Sequence, residues 1–474
     1  MSLQTIAQAI DGQLDGPPEA EVRRVCTDSR QVVEGDLFWV LRGPRFDGHA
    51  FLGQAWERGA RGAVVERVPD PPPPARRGVI RVADSRRALA RLAAAWRRQL
   101  SLPVVAVAGS NGKTSFKEIL ATVLRQRFAT HASPASYNND IGVPLTLLGL
   151  EPEHEAAVVE AGTNHPGELE PLLEIIQPRF GVLTWLGHEH LEFFGDLAGV
   201  IREESALVRC LPREGRLFLN WDAPGSERLR REAGVPVETA GWRAGADWRL
   251  RWAVVDWAGC WFEVQAPEPG WSGEYFVPLL GRHMAGLATL ALAVAARLGL
   301  RPEEARRGLA ACRPAPLRMN PVECGPWRLL VDCYNANADS MIAALETLAD
   351  VAGDRRRVAV LGPMAELGAR SAAEHDRVGR AAVNAGVQVL VVAGSTATAL
   401  ADGARAAGLS AVAVCPDPRA ALDVLETVLQ PGDAVLVKAS RAAHFETLVK
   451  GLQQRQRQAG TSPARLPDHP CSTT

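Results

Sequence analysis

An apolar run, VVAVAG, is followed at once by SNGKTS and then by the helical spacing of SFKEILATVLRQRF. No other feature constrains the 474-residue chain as much. A strand, a tight glycine turn and a helix in that order form the opening unit of a parallel α/β layer, because parallel strands need a crossover to join them. Gly109 and Gly112 let main-chain N–H groups approach phosphate oxygens, and the start of the helix adds its dipole. Lys113 can reach β- and γ-phosphates, and the Thr114 hydroxyl can hold Mg²⁺. The spacing is the shorter GxxGKT form, because position 107 is Val. The plain alternative is a Gly-rich turn with an incidental lysine.

Lysine is scarce enough to matter. Of 53 basic residues only Lys113, Lys117, Lys438 and Lys450 are lysine. A lysine retained in a chain that otherwise uses arginine marks a place where a compact ammonium fits and a planar fork does not. Lys117 and Lys450 read as incidental. Lys438 ends the apolar run of VLVKASR, where it acts on phosphate or carboxylate or is simply a surface lysine.

Charge and hydropathy exclude other classes. The formal net charge is −1, so no general basic coat for nucleic acid exists. The longest mostly apolar run, Met284 to Ala296, is too short to span a bilayer. MSLQTIAQAIDGQ has no basic and then apolar leader, which gives a cytoplasmic expectation. The eight cysteines show no CxxC pair, so free thiols are expected.

The chain divides into three α/β units and a tail. Residues 1–100 form a small α/β domain with a stiff proline-rich loop from Pro69 to Gly78. Residues 101–312 form a central nucleotide-binding domain with a mostly parallel sheet. Its stretch 215–280 is read as an antiparallel extension, and MAGLATLALAVAARLG as its buried closing helix. Residues 313–455 form a Rossmann-like α/β domain behind the link CRPAPLRMNP. Residues 456–474 are expected to be a disordered tail.

In an open parallel sheet the carboxyl ends of the strands border the ligand crevice. Glu160 ends AAVVE, and His190 lies in GHEHLEFFG just past FGVLTWL. Both could reach a metal ion near the phosphates; for His190 a solvated loop position is the alternative. Mg²⁺ takes one or two carboxylates plus phosphate and water, so a single Glu suffices. Asn138 and Asn139 could grip a polar substrate, although Asn is also a common turn residue.

AGSNGKTSFKE, SYNNDIGVPLTLL, VVEAGTNHPGE, HLEFFGDLAGV, LLGRH, DCYNANADSM, LGPMAELG and VLVKASR, in that order, resemble the Mur ligases. TDSR, GDLFWVLRG and RFDGHAF resemble that family's uridine-nucleotide-binding domain. The resemblance implies an ATP- and Mg²⁺-dependent amide ligase that joins D-alanyl-D-alanine to UDP-N-acetylmuramoyl-tripeptide through an acyl phosphate, working as a monomer. It implies catalytic roles for Lys113, His190, Glu204 and Arg318. Nucleotide contacts are implied for Gly109, Ser110, Asn111, Gly112, Lys113, Thr114, Ser115, His283, Arg318, Asp332 and Asn335. Precursor contacts fall to Ser29, Arg30, Asp47, Gly48, His49, Asn138 and Asn139. Metal ligation falls to Thr114, Glu160, His190 and Glu204.

Two positions depart from the family pattern. Glu204 stands where such ligases often carry a carbamylated lysine. It either replaces that anion or is a solvated helix glutamate. Met284 and Leu287 stand where the family has asparagines that touch the nucleotide. A folylpolyglutamate-type ligase, or another ligase joining a different carboxylate and amine, should lack the N-terminal motifs. A non-catalytic nucleotide-binding paralogue is harder to reconcile with the retained Lys113, Thr114, Glu160 and His190.

Overall fold

The computed structural model describes residues 1–44, 46–70 and 72–460. Three sheets dominate. The central one has nine strands among the described residues, with Val104–Ala108 inside it between Phe180–Leu183 and Ala156–Glu160. Every residue of Val104–Ala108 is fully buried, as expected for a strand covered by helices on both faces. Val105 and Val107 join one apolar cluster, while Val104, Ala106 and Ala108 join another, so alternate side chains feed opposite layers.

The antiparallel part of this sheet is smaller than the sequence suggests. Arg216–Asn220 and Val237–Gly241 run parallel to their neighbours, and Trp248–Asp256 continues in the same sense. Only Gly259–Gln265 reverses, and Gly273–Val277, antiparallel to it, returns to the common sense. The reason is the connection: Ser226–Glu232 is a crossover helix, whereas a tight turn at Trp257–Ala258 returns the chain directly.

The N-terminal sheet has five strands and mixed direction. Its core packs against Ile141, Leu145 and Leu148 beside the central domain's Gly142–Leu148 helix. The C-terminal sheet is parallel except for the Asn320–Cys324 edge, so the proposed link CRPAPLRMNP already enters a strand at Asn320. Helix Arg282–Arg297 is apolar on nearly every side and lies in the central core. That core continues into Leu330, Met341 and Leu345 of the C-terminal domain.

Residues 456–460 correct the tail expectation, since they continue the helix Glu446–Gly460. Gln456 packs over Gly325 there, which gives a polar but helix-favouring stretch something to rest on. Residues 461–474 lie outside the described residues. Among the described residues no helix is long and apolar enough to cross a membrane, and the cysteines are free thiols.

Candidate active site

The phosphate loop is held from beneath. Gly109 has φ +116°, and Gly112 has φ +87° immediately before helix Lys113–Leu124. A β-carbon at Gly109 would fall 2.8 Å from Thr184 Oγ1, so glycine is needed there for space as well as for dihedral freedom. Ser110 N donates to Trp185 O, and Gly187 N donates to Ser110 Oγ. Thr184 Oγ1 donates to Asn111 O at 2.7 Å. The first N–H groups of the helix have no carbonyl partner within it. Ser115 lies in that first turn and lines a neighbouring cavity.

Lys113 folds over this loop. Its Nζ donates to Gly109 O at 2.5 Å, Ser110 O at 3.1 Å and Glu189 Oε1 at 3.2 Å. Glu204 is buried, and its Oε2 accepts the Gly109 N–H at 2.7 Å. Burial pushes the carboxyls of Glu189 and Glu204 up to about 7. Burial pulls on the Lys113 ammonium in the opposite sense, but Glu189, Glu204 and Glu160 outweigh it and raise its pKa. The loop therefore carries a lysine with partners it can exchange.

Glu160 Oε1 accepts from Thr114 Oγ1 at 3.1 Å and from Asn138 Nδ2 at 2.8 Å. Its Oε2 is buried with no hydrogen-bond partner among the described residues. An orphaned buried carboxylate oxygen is costly unless a cation or donor meets it. A buried carboxylate beside a hydroxyl supplies oxygen ligands that suit a hard cation such as Mg²⁺. The residues therefore fit one divalent ion.

The C-terminal domain reaches the same spot. Leu317 and Met319, at φ +60° and +49°, bend the chain sharply on either side of Arg318. Arg318 Nη2 then donates to Thr114 Oγ1 at 3.1 Å, and its guanidinium lies 4.2 Å from the Tyr334 ring centre. Asn337 Nδ2 donates to Asn111 Oδ1 at 2.8 Å. Asp339 accepts the His188 N–H at 3.0 Å and pairs with Arg377. His190 Nδ1 pairs with Glu366, and burial lowers the histidine's pKa, which favours the neutral imidazole.

Other expected residues have structural partners. Asn139 Oδ1 accepts the N–H groups of Ile141 and Gly142, so this side chain holds a turn. Lys438 is buried and donates to Asp332 Oδ2 at 2.6 Å and to Asn335 O at 2.9 Å, which removes the surface alternative. Asn335 Oδ1 is taken by the Ala336 N–H. The His283 ring folds against Gly281 near Thr347, and burial lowers its pKa to about 4. Met284 lines an apolar cavity with Leu279, Pro314, Arg318 and Met319, next to Ser115. Leu287 packs on Gly112 instead.

The N-terminal residues have local partners. Ser29 Oγ donates to Gln54 Oε1 at 2.6 Å, and Arg30 forks onto Asp28, holding that carboxyl down at about 2. Asp47 accepts the His49 N–H and lies 2.6 Å from His49 Nδ1. Gly48 leaves no room for a side chain against Leu41 O. Arg86 meets Asp140 at 2.6 Å, one residue past Asn139, and ties this domain to the central one.

Glu189 was not singled out from the sequence; Glu366, in GPMAELG, and the segment DCYNANADSM, which holds Asn337 and Asp339, were expected only as polar groups at strand ends that could close over a nucleotide. Glu189 could have been found as the second acid beside His190 in GHEHLE. Asn337 could have been found from its cap spacing to Ser340.

Three family models cover the chain: Mur ligase family, catalytic domain (residues 21–97), Mur ligase middle domain (107–295), and Mur ligase, glutamate ligase domain (317–441). The chain belongs to the Mur ligase family. It is 35% identical over 460 residues to the UDP-N-acetylmuramoyl-tripeptide--D-alanyl-D-alanine ligase of Escherichia coli K12, covering 96% of this chain and 98% of that one. The ligase of the same name from Bacillus subtilis 168 is 30% identical, covering 95% and 98%. The crystal structure of MurF from Acinetobacter baumannii superposes with a TM-score of 0.86 at 32% identity, covering 96% and 98%. MurF from Thermotoga maritima in complex with ADP gives 0.80 at 26% identity, covering 92% of this chain and 99% of that one. A Mycobacterium tuberculosis folylpolyglutamate synthase gives 0.61 at 19% identity over 77% of this Mur ligase, a likeness of fold alone.

Proposed function

We propose that this Mur ligase uses ATP to add D-alanyl-D-alanine to UDP-N-acetylmuramoyl-tripeptide in the synthesis of peptidoglycan precursor. The γ-phosphoryl group passes to the tripeptide's terminal carboxylate, giving an acyl phosphate and ADP. The dipeptide amine attacks that carbonyl carbon and forms the C–N bond; the tetrahedral intermediate then loses the amine proton and breaks its C–O bond to phosphate, leaving the amide and inorganic phosphate.

The observation that carries the reading is the Arg318 guanidinium on the Thr114 hydroxyl, 3.1 Å apart, a cation of the third domain standing on the phosphate loop. Lys113 can exchange the Gly109 and Ser110 carbonyls for phosphate oxygens and then, with Arg318, offset the charge of the transferring group. Thr114 and Glu160 would hold one Mg²⁺, supplying further charge neutralisation at the phosphoryl group; a second ion at His190 and Glu204 would have to displace Glu366 and the Gly109 N–H from them. Glu204 occupies the position at which such ligases often carry a carbamylated lysine, so its carboxylate would supply an anion there without modification once a cation offsets the burial that raises its pKa to about 7. The contacts of Arg318, Asn337, Asp339 and Glu366 with the central domain close the site over the loop, which keeps water from the acyl phosphate. Ser29, Arg30, Asp47 and His49 would receive the uridine end of the precursor.

The test is phosphate release with ATP, Mg²⁺ and UDP-N-acetylmuramoyl-tripeptide, with and without D-alanyl-D-alanine. Release that depends on the dipeptide is expected. Folded protein that releases none, or releases phosphate equally without it, overturns the proposal.

A further inference from the structure

Lys117, one turn beyond Lys113 on the same helix, has no place in the reaction just described. Its side chain is fully buried. Nζ donates to Ser133 O at 2.7 Å and Ala135 O at 2.7 Å, and lies 2.7 Å from Glu118 Oε1. A buried ammonium persists only where acceptors replace its water, and all three acceptors here are close. The two carbonyls belong to one irregular segment just past the strand Thr130–Ala132. Ala135 in that segment has φ +45°, a left-handed conformation that residues with a β-carbon rarely adopt, so the segment is held in shape from outside.

That segment serves the cation side of the site. Ser133 Oγ accepts the Glu160 N–H at 3.0 Å. Ser136 Oγ lies 3.3 Å from Thr114 Oγ1. Asn138, two residues further, donates to Glu160 Oε1 at 2.8 Å. Glu160 Oε2 remains buried and unpartnered, as a ligand awaiting a cation should be. We infer that Lys117 is a positioning residue for the divalent cation: its ammonium clamps residues 133–136 so that Glu160 and Thr114 present their oxygens together. This rests on the nucleotide and Mg²⁺ reading above. The scarcity of lysine now has a reason at this position, because three acceptors converge on one fully buried point charge, a geometry that suits an ammonium better than a planar fork.

The test is Mn²⁺ titration of the full-length protein saturated with ADP, followed by the electron paramagnetic resonance of free Mn²⁺. Binding of the UDP-tripeptide precursor and the thermal midpoint without metal are measured alongside. Lys117→Met is expected to weaken Mn²⁺ about tenfold while precursor affinity stays unchanged, and Lys117→Arg is not expected to restore it. If Lys117→Met does not fold, Lys117→Gln replaces it, since its amide N–H groups still donate to a carbonyl but supply neither the charge nor the third donor of the ammonium. A weakening of about threefold is then expected. Wild-type Mn²⁺ affinity in folded Lys117→Met, or in Lys117→Gln where that variant decides, overturns the inference. Wild-type protein that binds no Mn²⁺ with ADP contradicts the nucleotide reading instead, so the two failures are distinct.

Discussion

Lys113 and Lys438 are both placed by parallel strands, and both ammonium groups meet a carboxylate and main-chain oxygen. Their surroundings give them opposite work. Lys113 lies on a loop whose own carbonyls hold it, beside acids that burial keeps reluctant to ionise. Lys438 lies across the ladder from Asp332, its register partner on the neighbouring strand, and the pair is shut in between layers. Position at a strand's carboxyl end therefore does not by itself make a lysine a phosphate ligand. What decides is whether its partners can be exchanged for a ligand.

The comparison can be broken by substitution. Lys113→Ala should lower kcat by at least about 10³-fold with an unchanged circular dichroism spectrum, because it removes charge stabilisation in the transition state. Near-wild-type turnover would place Lys113 with Lys438 as a structural group. Lys438→Met should act chiefly on stability. Denaturant unfolding should show a loss of about 3 kcal/mol, because Asp332 is left as a buried charge, and Lys438→Met with Asp332→Leu should recover most of it. A loss in kcat as large as that of Lys113→Ala, with stability intact, would erase the distinction.

A pH series sharpens the contrast. Glu189 and Glu204 titrate near 7 in the folded protein and near 4.5 when exposed. The folded state therefore binds their protons more tightly, and the stability this confers is complete below about pH 4.5 and is lost as pH rises to about 7. In EDTA and without nucleotide, the thermal midpoint should fall over that range. The fall should shrink in Glu189→Gln and again in Glu204→Gln. The smallest effect belongs to Asn139→Ala, which should cost about 1 kcal/mol through the lost turn bonds. Steady-state kinetics should show little change in KM for the precursor. Asn138→Ala should instead weaken Mg²⁺ dependence, because it frees Glu160.

The contrast also shows where sequence reading stops. The alternation of strand and helix in the three α/β units and the strand–turn–helix course of residues 104–124 were legible because strand, turn and helix periodicities are local. The parallel course of residues 216–241 was not, because sheet direction is set by a short crossover helix amid Trp- and Gly-rich sequence. Lys117 read as incidental because its partners, Ser133 and Ala135, lie 16 and 18 residues on and are main-chain oxygens that any residue supplies. DCYNANADSM and the glutamate of GPMAELG were read as polar groups that could close over domain two, but their individual partners, Asn111, His188 and His190, appear only once the third domain folds onto the second. Asn139 was misplaced for the opposite reason: its local turn chemistry outweighed its nearness to the crevice.

The most direct test is a crystal structure of the protein with a non-hydrolysable ATP analogue and Mg²⁺. The γ-phosphate should rest between Lys113 Nζ and the Arg318 guanidinium, with the metal on Thr114 and Glu160. A triphosphate bound away from residues 109–115, with Lys113 still on the Gly109 and Ser110 carbonyls, would contradict the account.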